Sequence, residues 1–131
     1  MHFEENRSIY EQIVDYVYRQ VLTGAWPAGE RLPSVRELAV QMEVNPNTVQ
    51  RSYSRLQDRG IIYNQRGIGY FVAEGAVEQA KSEKRKEFEE QELPRLFQTM
   101  VMLGITLEDL KELWQRFSAA AGDSITREGQ S

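Results

Sequence analysis

The sequence predicts a mainly helical fold carrying one small β hairpin, and three observations lead to it. Two short helices, each with its own start signal, meet at a tight turn between Arg31 and Arg51. Two β-branched and aromatic runs then flank the glycine-rich stretch Gln65-Arg66-Gly67-Ile68-Gly69. After Gly75 the charges and apolar residues recur at helical spacing. With 131 residues, 40% of them hydrophobic, the chain can build one modest core plus an appendage rather than two independent cores.

The first helix is expected from Ser8 to Leu22. Ile9, Ile13, Tyr16, Val17 and Val21 form an amphipathic stripe there, Ser8 is the N-cap and Gly24 the stop. Ala25-Trp26-Pro27-Ala28-Gly29 reads as a loop, and Glu30-Arg31-Leu32 leaves room only for a short strand before Pro33. The second helix runs from Ser34 to about Met42, with Ser34 and Glu37 as a capping box. Asn45 caps the third, Pro46 takes its first position, and it extends to about Arg59. An angular step of about 100° per residue puts Val49, Ser52, Tyr53 and Leu56 on one side of this helix. Asn47, Gln50, Arg51, Ser54 and Asp58 fall on the other. Gly60 ends it, and Ile61 to Asn64 with Tyr70 to Val72 form the hairpin. A helix-turn-helix followed by a hairpin is a winged helix, and its expected span is residues 8–75.

Residues 76–120 are expected to form a helical segment. Ala76 through Glu92 is highly charged, the stretch from Leu93 to Leu103 is apolar, and Pro94 should bend the helix. Gly104 closes that helix, Thr106 caps another, and residues 121–131 read as a disordered polar tail. Phe88, Leu96, Phe97, Met100, Leu110, Leu113, Trp114 and Phe117 give the two helices more apolar surface than they can bury on each other. A symmetric homodimer is the expectation, and folding back onto the chain's own winged helix is the alternative.

The absence of cysteine removes disulfides, thiolate metal sites and cysteine nucleophiles, and the single histidine, His2, lies at the N-terminal end. No cofactor or metal is expected. The sequence also lacks a nucleophile–base pair and a phosphate-cradling glycine loop, so an enzyme is not expected. The acidic start Met1-His2-Phe3-Glu4-Glu5-Asn6 is unlike a signal peptide, and no apolar run is long enough to span a bilayer. A cytoplasmic protein without a membrane partner is the expectation.

A net charge of −4 argues against nucleic acid until it is resolved along the chain. From Arg31 to Arg66 six arginines face three carboxylates, a local excess of +3. From Ala76 onward eight cations face eleven acids, so that half carries −3. Any contact with phosphates therefore belongs to the N-terminal half.

Four segments resemble the GntR superfamily of bacterial transcription regulators, and they occur in that family's order. They are Ile9 to Ile13, Gly29 to Ala39, Val44 to Val49 and Arg66 to Val72. The short C-terminal part resembles the YtrA subfamily, in which two helices serve dimerisation. Glu43 departs from the pattern, standing where the family has glycine in the turn.

The resemblance implies that the start of the third helix enters the major groove of double-stranded DNA, and the side chains present suit that task. Asn47 and Gln50 carry paired amide groups that match adenine edges, while Arg51 and Arg36 can hold guanine or phosphate. Ser34, Asn45 and Thr48 sit at helix starts, where hydroxyls, amides and backbone N–H groups converge on phosphate oxygens. Arg66 at the wing tip suits the minor groove, and Gly67 allows close backbone approach. Each has a plainer reading. Ser34 and Asn45 are caps with or without DNA, Arg51 and Arg55 can be solvated, and Lys81, Lys84, Arg85 and Lys86 read as a solvated helix face.

The function expected is therefore a homodimeric transcription repressor on an inverted-repeat operator, associated with the nucleoid when bound. The subfamily often controls neighbouring transporter operons. A winged-helix module that binds protein without reading DNA is the alternative. Two helices supply too little wall for an enclosed effector cavity, so a small-molecule effector would have to use a cleft at the dimer interface.

Overall fold

The computed structural model describes residues 7–130, with side chains through residue 122. His2 and the rest of the acidic start lie outside the described residues, as does Ser131. In chain order the elements are α1 (Ile9–Leu22), α2 (Val35–Met42), α3 (Pro46–Asp58), β1 (Ile62–Gln65), β2 (Gly69–Val72), α4 (Ala76–Glu87), a π-helical turn (Phe88–Glu92), α5 (Leu93–Leu103) and α6 (Leu107–Gln130). The fold is mainly helical with a two-stranded antiparallel wing. It divides into two compact units, the first ending at Lys86.

Side chains start the first three helices where the sequence puts the caps. The Ser8 hydroxyl accepts the Glu11 N–H at 3.1 Å. Ser34 and Glu37 form a reciprocal box, with Glu37 N–H to Ser34 Oγ at 3.0 Å and Ser34 N–H to Glu37 Oε1 at 3.4 Å. Asn45 Oδ1 accepts the Asn47 N–H at 2.8 Å. Each cap satisfies a backbone donor that the first helical turn leaves without a partner, a contribution of about 1 kcal/mol.

The core of the first unit forms where these helices cross. Ile13, Val17 and Val21 of α1 meet Leu38 of α2, Val49, Tyr53 and Leu56 of α3, and Ile61, Ile62 and Val72 at the wing, all buried. The hairpin pairs Ile62 with Val72 through Gln65 with Gly69. The first strand starts one residue later than its composition suggests. Ile61 is instead the residue whose N–H closes the end of α3, on the Leu56 carbonyl at 3.0 Å. Glu30 to Leu32 lies along the outer edge of β2 as a single bridge, Arg31 to Phe71, and Pro33, lacking an N–H, prevents a longer ladder.

Helix α4 packs with the winged helix, and the first compact unit extends to Lys86. Ala76 and Ala80 are buried in the same core. Lys84 Nζ reaches Asp15 Oδ1 at 2.6 Å, and Arg7 also pairs with Asp15. The Tyr18 hydroxyl donates to Glu83 and accepts from Arg59 Nη1 at 3.0 Å. Burial, reinforced by the Glu83 carboxylate, pushes the Tyr18 phenol up to about 12, so it remains a donor at neutral pH.

The predicted interruption at Pro94 takes the form of the π turn. Proline lacks an N–H and its ring crowds the carbonyl four residues back, and the preceding turn widens so that the Leu93 N–H bonds to Phe88 O. Helix α6 begins at the predicted cap, with Asp109 N–H on Thr106 Oγ1 at 3.1 Å and Thr106 N–H on Asp109 Oδ2 at 3.0 Å. It continues to Gln130, through the segment that the polar composition marks as a disordered tail. The strong helix formers Ala119, Ala120 and Ala121 carry the helix to Gly122, whose cost of about 1 kcal/mol is too small to break it alone.

Three helices end with the same pair of backbone bonds, and only one does so without glycine. At α3 and α5 the left-handed residue is Gly60 (φ 78°) or Gly104 (φ 71°), whereas at α2 it is Glu43 (φ 56°). Val44 N–H bonds to Ala39 O at 3.0 Å and Glu43 N–H to Val40 O at 3.3 Å, a Schellman ending that fixes the turn into α3. Val44 packs against the core immediately afterwards. The turn geometry is thus the one the glycine pattern implies, held by packing in spite of the side chain.

Two outcomes are expected. Glu43→Gly should raise unfolding stability by about 1 kcal/mol in urea titrations, because it relieves a left-handed non-glycine residue. Burial raises the Asp15 carboxyl, but hydrogen bonds and charge from Lys84 and Arg7 outweigh it and hold the group below its ordinary value of 3.8. Its contribution is then complete above the unfolded value and lost as pH falls through the lower folded one. Asp15→Asn should weaken the protein at pH 7 and flatten that acid limb in thermal melts recorded from pH 6 to pH 2.

Candidate nucleic-acid interface

The rotation of α3 about its axis decides which of its side chains meet solvent. Val49, Ser52, Tyr53 and Leu56 are fully buried. The buried Ser52 hydroxyl bonds to the Thr48 carbonyl at 2.9 Å and the Tyr10 carbonyl at 3.2 Å, so no polar atom is stranded on that side. Tyr53 donates its hydroxyl to the Pro33 carbonyl at 2.7 Å. Burial raises its pKa well above the ordinary tyrosine range, which keeps the proton on the donor. With these residues inside, Asn47, Gln50, Arg51 and Ser54 are left exposed together.

Of the other residues named at helix starts, Asn45 is exposed, while Ser34 and Thr48 are half-buried. Asn45 uses its carbonyl oxygen for the cap, a bond in which its amide N–H groups take no part. Arg36 is exposed on the first turn of α2. The wing tip is a tight turn closed by Ile68 N–H to Gln65 O at 2.9 Å. Gly67 has φ 80° at the position where such a turn demands a left-handed residue, and Arg66 precedes it in solvent.

Two of the exposed side chains are held by aromatic rings of neighbouring elements, Tyr10 of α1 and Tyr70 of β2. The Arg51 guanidinium lies 5.0 Å from the centroid of the Tyr10 ring, a cation–π contact reaching from α3 to α1. Gln50 Nε2 donates to the Tyr70 hydroxyl at 3.0 Å and faces Ser54 Oγ at 3.5 Å, linking α3 to β2. Tyr70 in turn packs edge-to-face on Tyr53, with centroids 5.0 Å apart. Strand alternation is the signal that finds it, since Tyr70 and Val72 share the face of β2 turned toward α3.

Arg31 is a further cation at this surface that the residue-by-residue reading did not single out. It is exposed, and its Nε would lie 3.1 Å from a Cβ placed on Gly69. Its guanidinium therefore lies beside the Gln65–Gly69 pair next to the tip turn of the wing, where a side chain at position 69 would crowd it. Among the described residues of this face the cations are arginines, whose planar guanidinium groups suit phosphate and guanine alike.

The second unit carries the apolar residues expected at a dimer contact. Phe88, Leu96, Phe97, Leu113, Trp114 and Phe117 are all exposed, Trp114 by 63% and Phe117 by 66%. Leu110 is half-buried. Met100 differs in being buried within its own chain. Val101, Met102, Leu103 and Leu107 add to the exposed surface, each by 65% or more. Among the described residues no helix is long and apolar enough to cross a membrane.

Residues 9–72 match the family model described as "Bacterial regulatory proteins, gntR family". The chain is similar to the uncharacterized HTH-type transcriptional regulator YhcF of Bacillus subtilis, 38% identical over 84% of this chain and 89% of that protein. It is 39% identical to the HTH-type transcriptional repressor YtrA of the same organism, over 85% of each. Among solved structures it resembles a GntR family transcriptional regulator from Listeria monocytogenes, with TM-score 0.74, 37% identity, and coverage of 87% of this chain and 98% of that one.

Proposed function

This chain belongs to the gntR family of bacterial regulatory proteins, DNA-binding transcription regulators that are not enzymes, and on that premise we propose that it is a homodimeric repressor of an inverted-repeat operator. The observation that carries the reading is the joint exposure of Asn47, Gln50 and Arg51 on α3 beside a wing tipped by Arg66 and Gly67. An exposed helix start lined with amides and a guanidinium matches base edges in the major groove, and the wing reaches the neighbouring backbone or minor groove. Arg36, Ser34, Asn45 and Thr48 supply phosphate contacts at the starts of α2 and α3.

The dimer rests on the second unit. Its exposed aromatic and aliphatic side chains exceed what a soluble monomer ordinarily leaves in water, and a second copy of the chain covers them. Twofold symmetry then relates two recognition helices and requires two inverted half-sites. Repression follows from occupying a promoter. The name of the similar YtrA supports that direction, and the resemblance to its subfamily makes a neighbouring transporter operon the first target to examine.

Replacing Asn47 and Arg51 together by alanine should lower operator affinity by about 100-fold in gel shifts and reduce the slope of log affinity against log salt by about 1. Undiminished binding would sink the reading. Trp114→Glu combined with Phe117→Glu should halve the mass found by sedimentation equilibrium and lower full-operator affinity by about 100-fold through lost avidity. A variant that stays dimeric would remove these helices from the interface.

A further inference from the structure

The hydrogen bonds of the Gln50 amide assign it a narrower task than its residue type suggests. A glutamine side chain has two donors and one acceptor oxygen, and an unrestrained one meets adenine with both kinds at once, Nε2 to N7 and Oε1 to N6. Here Nε2 donates to the Tyr70 hydroxyl at 3.0 Å and faces Ser54 Oγ at 3.5 Å. The nitrogen end of the amide is turned toward protein oxygens, and Oε1 is the group left for a base.

Tyr70 is well placed to impose this arrangement. It is half-buried on β2, its ring packs edge-to-face on the fully buried Tyr53, and Tyr53 is itself fastened to the Pro33 carbonyl at 2.7 Å. The hydroxyl that holds Gln50 therefore sits on a rigid stack and not on a mobile surface side chain. An amide gripped in this way offers one orientation to the groove without losing rotamer freedom on binding.

We propose that Tyr70 is a specificity-determining positioning residue: it turns Gln50 into an acceptor-only reader that selects a base bearing an exocyclic amine in the major groove, adenine or cytosine, over guanine or thymine. Adenine N6 and cytosine N4 are the donors available there, while guanine O6 and thymine O4 are acceptors that oppose Oε1. The inference rests on the reading of α3 as the base-contacting helix.

The test uses the full chain and an operator selected from random DNA, with all four base pairs then compared at every operator position by competition binding. The wild type should show one position in each half-site at which adenine and cytosine are accepted within about threefold of each other and both exceed guanine and thymine by about tenfold. Tyr70→Phe keeps the ring and its packing while removing the hydroxyl. It should raise adenine over cytosine at that position by about tenfold, because the released Nε2 can now reach adenine N7. Gln50→Ala should erase the preference there. A Tyr70→Phe profile identical to wild type, where Gln50→Ala erases the preference, would overturn the role of Tyr70 and leave base reading by α3 intact. No change in any base preference on Gln50→Ala would overturn it by removing Gln50 as a reader. Failure of DNA reading as a whole is a separate result, seen as full operator binding by the Asn47 and Arg51 double variant.

Discussion

The burial of Tyr53 at the middle of α3 is the constraint on which the first unit turns. Its ring is wholly inside and its hydroxyl bonds to the carbonyl of Pro33, the residue just before the Ser34 cap. One side chain thus ties the recognition helix to the start of α2 and, through the edge-to-face contact with Tyr70, to the wing. Because successive side chains step by about 100° around a helix, placing Val49, Tyr53 and Leu56 inside leaves no choice about Asn47, Gln50 and Arg51. The exposed polar face is the geometric complement of the core.

A second set of contacts holds α4 on the winged helix. Tyr18 receives a hydrogen bond from Arg59 and gives one to Glu83, and Lys84 lies over its ring at 4.7 Å while pairing with Asp15. These bonds fasten α4 to α1 and to the end of α3, together with the buried Ala76 and Ala80. The charged stretch that reads as a solvated helix face is therefore divided. Part of it holds α4 against the core, where partial burial makes each charge pair count for more than it would in water.

Short-range chemistry was largely legible in the sequence. Ser8, Ser34, Asn45 and Thr106 each cap the helix expected of them. The inward set Val49, Ser52, Tyr53 and Leu56 follows from helical period alone. The strand start at Ile62 and the place of Ile61 were not legible, because a buried isoleucine reads the same whether it pairs in a sheet or closes a helix end. Nor was the continuation of α6 beyond Ala121, since a polar composition marks solvent exposure and does not by itself say whether the backbone is helical.

The sequence by itself determined the order of elements, their caps, the outward residues of α3 and the concentration of positive charge between Arg31 and Arg66. These depend on neighbours within about four residues or on counting charges, and the chain states both directly. Tertiary structure decided what those outward residues can do. Arg51 is held over Tyr10, 41 positions earlier in the chain, and Gln50 is held by Tyr70, 20 positions later. Only the folding of α1 and β2 against α3 brings those rings within reach, so the direction in which an amide or a guanidinium is offered to a partner is a property of packing and not of residue type.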